Sequence, residues 1–387
     1  MDFSLSEEQQ MFRDLFNDFA RKEVAKIAAH TDQAEAPPLD LLRTAAAQGF
    51  LGAPIPEAYG GAGLDHVSYT LLIEAIAREC LSTAMIIGMH TSLVSETLLD
   101  HATEAQKERW LPSLASGETI GAFAMTEPDA GSDPSGISTH AVKAGASYVL
   151  NGVKTWVGNG ASAGLLLVIA ATNPHANGTG LSAFVVDPKA PGVKLGHREP
   201  TLGLRGLPVN TFYFDGARVP EADRLGEEGQ GLSIGLHAVN RMRLALGAAA
   251  LGCAEGALEL GKKFAVERKQ FGAPIATKQA IGNYFADSAA EIEALRWLVL
   301  HAAWLADRGP DQRDAAATAK LIGARVARDV ANRMLQVHGG YGFSDEYTIS
   351  RVYRDARALD LLGGTGQVQR VVLAQSVFEN TGVQITP

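Results

Sequence analysis

Ala124-Met125-Thr126-Glu127-Pro128-Asp129-Ala130-Gly131-Ser132-Asp133-Pro134-Ser135-Gly136 is the stretch on which the reading of this chain turns. Its first residues finish an apolar, strand-like run. The rest is dense in Pro, Gly, Asp and Ser, the residues that build tight turns. The segment reads as a strand end that runs into a loop. The loop's backbone amides, with the hydroxyls of Thr126 and Ser132, can face a bound ligand.

Working outward, the chain changes period twice. Residues 1 to 118 read as helical: Ser6 with Glu8 and Gln9 marks a helix start, and Met11, Phe12, Leu15, Phe16 and Phe19 recur at helical spacing. Pro37-Pro38 breaks that helix, and the pattern resumes over 39–48, 66–80 and 92–101. Residues 119 to 228 are rich in Val, Thr and Gly with period-two alternation. Tyr148-Val149-Leu150 and Val153 to Val157 flank Asn151-Gly152, a pair suited to a type I′ turn, so a hairpin is expected there. Residues 229 to 387 return to a period of 3.6, with four long helices expected at about 230–269, 276–308, 313–338 and 365–380. Asn177-Gly178-Thr179 reads as a loop turn.

Composition bounds the function. The chain has 387 residues, 46% hydrophobic and 20% charged, with a net charge of −9. An acidic balance argues against a nucleic-acid partner. The two cysteines, Cys80 and Cys253, lie in apolar surroundings and read as core residues. His101 and His338 have no partner ligands at metal-binding spacing, so no metal is expected. The N-terminus has neither a basic start nor an apolar core, and no run reaches the ~18 apolar residues a membrane helix needs. A cytoplasmic protein without membrane contact is the expectation.

A second stretch carries as much detail as the first. Gln336-Val337-His338-Gly339-Gly340-Tyr341-Gly342-Phe343 is followed by Glu346, Arg351 and Asp355. Its glycines permit close backbone approach to a bulky ligand. Shorter elements fall in order around it: Lys154-Thr155-Trp156, Leu204-Arg205-Gly206, Phe214 to Pro220, Glu267-Arg268-Lys269-Gln270-Phe271-Gly272, Gln279, and Thr365-Gly366-Gln367. Together these segments resemble the acyl-CoA dehydrogenase superfamily from about residue 5 to about residue 380.

The resemblance implies an α+β fold: an N-terminal helical domain, a middle β-barrel or sandwich domain, and a C-terminal four-helix bundle. It implies FAD as cofactor, a homotetramer built as a dimer of FAD-sharing dimers, and an acyl-CoA or acyl-carrier-protein thioester as substrate. Electron-transfer flavoprotein or oxygen would accept the electrons. Around the flavin it places Phe123, Met125, Thr126, Ser132, Trp156 and Gly158. It assigns Arg268, in an Arg–Phe element with Phe271, to the FAD pyrophosphate of a neighbouring subunit, and Gln279, Gln336, Gly339, Gly340, Thr365 and Gln367 to further FAD contacts. Ser132, Met242, Arg243, Leu362 and Gly363 would meet the thioester.

In the family, a glutamate removes the α proton while flavin N5 takes the β hydride. The substrate carbonyl is polarised by the flavin ribityl chain and by the backbone N–H of the base residue. This chain departs there. The base position is Gly363 in Leu361-Leu362-Gly363-Gly364-Thr365, and the alternative position on the first bundle helix is Met242. Gly158 stands where the family often has a flavin-facing Thr. Asp360, His90, His237 and Asn240 are the remaining candidates for a proton acceptor. Two other readings stay open: a non-oxidative lyase of the desulfinase kind, and a catalytically silent FAD- and acyl-CoA-binding homologue or a flavin monooxygenase of the same fold.

Overall fold

The computed structural model describes residues 4–173, 176, 180–309, 312–379, 381 and 385. The loop expectation at 177–179 lies outside the described residues. Helices come first: α1 (Glu7–Phe19), α2 (Ala25–Gln33), α3 (Leu39–Ala47), α4 (His66–Glu79), α5 (Leu81–Gly88), α6 (Glu96–His101) and α7 (Glu104–Ala115). The Ser6 side chain caps α1 and Gln9 returns the bond, a reciprocal pair that satisfies two otherwise free amides. α5 and α6 are joined by a π-helical stretch, Met89–Ser95.

The middle of the chain forms β1 (Gly121–Ala124), β2 (His140–Ala144), β3 (Ser147–Gly158), β4 (Leu165–Ala171), β5 (Leu181–Val186), β6 (Val193–Arg198), β7 (Val209–Pro220) and β8 (Arg224–Leu225). The sheet order is β6-β7-β3-β2-β4-β5-β8, with β1 pairing β4 in parallel. β4 is buried on both faces and divides its side chains between two cores. Leu165, Leu167 and Ile169 pack towards Leu111 and Leu114 of α7, whereas Leu166, Val168 and Ala170 pack with Tyr148, Phe184 and Phe212 inside the sheet. Period-two alternation thus joins the β domain to the helices before it.

The hairpin expected at Asn151-Gly152 does not form. β3 runs straight through these residues, and the turn lies earlier, at Gly145-Ala146 between paired Ala144 and Ser147. Asn151-Gly152 is instead a bulge: the β3–β7 register slips between Leu150 and Gly152. Gly152 has φ 145°, and a Cβ there would sit 2.6 Å from the Thr139 Cα, so a close approach of backbone demands the glycine.

The chain ends in α8 (Gly231–Glu267), a short hairpin of β9 (Lys269–Gln270) and β10 (Ala273–Pro274), then α9 (Gln279–Ala306), α10 (Arg313–His338), α11 (Thr348–Ala358) and α12 (Gly366–Val377). Four of these helices lie where the period placed them. α11 is a fifth, a short helix whose buried residues include the polar Ser350 and Asp355. α8 is long and apolar enough to cross a membrane by length and composition alone, but 78% of its most apolar window is buried. It is the central helix of the protein. Gly252 and Gly256, one turn apart, bring α8 against the backbone of α4 at Glu74 and Arg78. The N-terminal helices and the bundle therefore share one core.

Candidate active site

The Ala124–Gly136 stretch meets β3: the Thr155 amide donates to the Thr126 carbonyl at 2.9 Å. Behind that contact is a fully buried ion pair. Lys154 Nζ donates to Glu127 Oε1 at 2.6 Å and to the Met125 carbonyl at 2.9 Å. Glu127 also accepts from the Thr139 amide and from the amide and hydroxyl of Ser138. Burial pushes the Glu127 carboxyl up, but Lys154 and these donors outweigh it and hold it at about 2. Burial brings Lys154 down to about 8, so both stay charged at neutral pH. Glu127 is thus the internal brace of its segment.

The brace supports an open surface. β3 slips register again between Lys154 and Val157, which everts Trp156 at φ 57° with 61% of its surface exposed. A β-bulge beside a site commonly re-aims one side chain, and a non-glycine residue held at positive φ stores strain. The Thr155 hydroxyl is buried without a hydrogen-bond partner among the described residues. Ser132 is exposed and Thr126 half-buried, and Phe123 packs inward. Met125 closes against α8, its Sδ 3.2 Å from a Cβ built on Gly235. Gly158 is walled in: a Cβ there would lie 2.4 Å from Met89 Sδ, so the thioether stands where a threonine methyl would need room.

A second group gathers at the end of α8. Arg268, Gly339, Gly340, Phe264, His338 and Tyr341 line a cavity of about 460 Å³. Arg268 makes no ion pair among the described residues and stacks over Tyr341 at 5.4 Å. Gly339, at φ 58°, and Gly340 face open space. A guanidinium beside two exposed glycine backbones suits a pyrophosphate. Phe271 stands 92% exposed at the tip of the β9–β10 hairpin with φ 51°. Gln279 and Gln336 are exposed near these elements. An everted indole, an orphaned hydroxyl, a free arginine and an unfilled glycine cradle fit a dinucleotide with an aromatic ring system.

The third group surrounds the base position. Gly363 has φ 63°, and a Cβ on it would come 2.5 Å from Leu246 Cδ1. Its carbonyl accepts from Gln369 Nε2 at 3.1 Å and from Arg243 Nε at 3.5 Å. Met242 is fully buried, its Cε 3.7 Å from a Cβ built on Gly88, and is inert as an acceptor. Arg243 bonds Asn240 Oδ1 at 2.5 Å, and burial lowers it to about 10. Leu362 packs half-buried on the core. Thr365 caps α12, and Gln367 is exposed.

Each of the four alternative acceptors is already engaged. His90 is buried with Nε2 donating to the Leu114 carbonyl at 3.1 Å and Nδ1 accepting from the Gly121 amide at 2.9 Å. That fixes its tautomer, and burial lowers it to about 4. It is a strut between α7 and β1. His237 bonds Asp100 at 2.7 Å, Asn240 accepts from Arg243, and Asp360 faces Arg357 and Arg328. Nothing in the sequence marked these partners, since all but Asn240's lie far along the chain or across a turn.

Known proteins give a consistent picture. The N-terminal domain of acyl-CoA dehydrogenases matches residues 6–118, the middle domain 122–217 and the C-terminal domain 229–378. An acyl-CoA dehydrogenase of Bacillus subtilis is 40% identical over 377 residues, covering 97% of this chain and 100% of that one. Among solved structures, butyryl-CoA dehydrogenase from Megasphaera elsdenii aligns with a TM-score of 0.96 at 35% identity, covering 98% of this chain and 100% of its own. A chain from a structure described as the electron transferring flavoprotein of Acidaminococcus fermentans aligns with a TM-score of 0.97 at 37% identity, covering 98% and 100%.

Proposed function

This chain belongs to the acyl-CoA dehydrogenase family, and from that premise we propose that it is an FAD-dependent oxidoreductase that α,β-dehydrogenates an acyl thioester without a side-chain base at Gly363 or Met242. The observation that carries the reading is the coincidence of three prepared surfaces: Trp156 everted on its bulge, Arg268 free beside Gly339 and Gly340, and the Gly363 amide without an acceptor among the described residues. Bound FAD supplies the two-electron acceptor. Thr126, Ser132, Trp156 and Thr365 orient it, with Gln367 beside them. Arg268, Phe271, Gln279, Gln336, Gly339 and Gly340 hold the FAD of a second copy, which accounts for the exposure of Phe271. The working assembly is a homotetramer, with domains meeting near 118 and 228.

The Gly363 N–H polarises the thioester carbonyl, which acidifies Cα. Arg243 holds the Gly363 carbonyl, and Met242 and Leu362 exclude bulk solvent. Water takes the α proton, a weaker acceptor than a placed carboxylate, so turnover is slow compared with relatives that have the glutamate. The thioester handle is CoA or an acyl-carrier protein, and an electron-transfer flavoprotein or oxygen reoxidises the flavin. The protein works in the cytoplasm.

The experiment is anaerobic mixing of the purified flavoprotein with a panel of acyl-CoAs. Loss of oxidised-flavin absorbance with formation of an enoyl thioester is the expected result. Turnover without flavin reduction would contradict it in favour of lyase chemistry, and silence towards every thioester would leave a binding protein.

A further inference from the structure

Gly363 and Gly364 are consecutive residues in the left-handed region, at φ 63° and 85°. Two adjacent glycines are the most permissive backbone a chain can have, yet here both carbonyls are fixed. The Gly364 carbonyl accepts from Lys320 Nζ at 2.6 Å and from Gln369 Nε2 at 2.9 Å. The Gly363 carbonyl accepts from the same Gln369 amide and from Arg243. Lys320 Nζ also reaches the Asp360 carbonyl at 3.3 Å, the residue that opens this turn. One ammonium therefore ties the start of the turn to its end.

Lys320 is an expensive choice for that task. It is 1% exposed, and no carboxylate lies within ion-pair distance of it among the described residues. Buried lysines ordinarily have such a partner. Its charged neighbours are Arg243 from α8 and Asp360, whose carboxylate faces Arg357 and Arg328. A carbonyl ligand set holds position without adding a negative charge. The amides of Gly363 and Gly364 have no acceptor among the described residues. Because the peptide is trans, the pinned Gly363 carbonyl sends the Gly364 N–H the opposite way.

We infer that Lys320 is a positioning residue for thioester binding: with Gln369 and Arg243 it locks the Gly363–Gly364 pair so that the free amides face the substrate carbonyl. The inference rests on the thioester reading given above. A chain with a side chain at 363 restricts its own backbone; with glycine there, the restriction comes from the carbonyl side.

The test titrates the holoprotein with crotonyl-CoA, whose α,β bond is already oxidised, and follows the flavin spectrum. Lys320→Met is expected to weaken binding at least tenfold while FAD content is kept, and Gln369→Met to weaken it similarly. In the wild type, affinity falls as pH rises past about 8, where burial places the Lys320 ammonium; in Lys320→Met that dependence is gone. A merely structural lysine would not impose this pH profile. Wild-type affinity that is flat from about pH 7 to 9.5, or folded variants that bind as the wild type does, would overturn the inference. A wild type that holds FAD but ignores crotonyl-CoA removes the thioester reading and the inference with it.

Discussion

Replacing Gly363 by glutamate restores a carboxylate to the position that relatives use for proton abstraction, and the structure sets what this costs. At φ 63° an L residue loses about 1–2 kcal/mol. Its Cβ falls 2.5 Å from Leu246 Cδ1, so a buried leucine must move, at roughly 1–3 kcal/mol for overpacking. The single variant should lose about 2–5 kcal/mol of stability, or ~2–6 °C in Tm for a chain of this size. Leu246→Val trims the offending methyl and by itself costs about 1 kcal/mol. The double variant should be more stable than the sum of the two changes, because the residues touch. In it, anaerobic reduction of the flavin by butyryl-CoA should accelerate by about 10²–10⁴, the usual worth of a placed general base. Thermal melts and stopped-flow absorbance read both effects. Additive stabilities would refute the Leu246 contact. A folded, FAD-bearing double variant without any acceleration would refute the assignment of Gly363 to the base position.

Three further outcomes follow from other parts of the molecule. Lys154→Met leaves Glu127 charged without its counter-ion, which should cost about 3–5 kcal/mol by chemical denaturation and lower FAD retention; Glu127→Gln/Lys154→Met should recover much of it. Trp156→Gly relieves the strained φ of 57° and removes the exposed indole, so the apoprotein should hold or gain stability while FAD dissociates more readily, as measured by fluorescence. His66 lies between Asp307 and Glu96; burial lowers its pKa, but those two hydrogen bonds outweigh it and raise it to about 9. A raised histidine contributes fully below its unfolded value near 6.5 and loses its contribution as pH climbs through 9. The unfolding free energy from denaturant titrations should therefore fall over that window by on the order of 3 kcal/mol in the wild type and much less in His66→Asn.

The parts of this molecule that were legible in sequence are those set by local period. Apolar spacing located the long bundle helices, and the change to period two located the β domain between the helical parts. Asn151-Gly152 misled because one dipeptide serves a turn or a bulge, and only the partner strand, with Thr139 pressed against Gly152, decides which. α11 was hidden because it is short and two of its buried positions are polar, Ser350 and Asp355, which interrupt the apolar stripe on its inward face. At the site, the family resemblance assigned Arg268, Gly339 and Gly340 to FAD from two separate stretches, and the fold brings them to one cavity. The engagement of His90, the Lys154–Glu127 brace and the Lys320 clamp depend on residues 31, 27 and 44 positions apart. No local pattern encodes such pairings. Gly363 could be flagged from its neighbours in sequence, but its left-handed φ and its contact with Leu246 could not.

The most direct measurement is the anaerobic reaction of the purified protein with butyryl-CoA, recorded by flavin absorbance and product analysis. The account predicts bound FAD, slow bleaching with crotonyl-CoA as product, and acceleration in the Gly363→Glu/Leu246→Val variant. A protein that purifies without flavin and takes up none, or one whose flavin is unchanged by any acyl thioester, would contradict it.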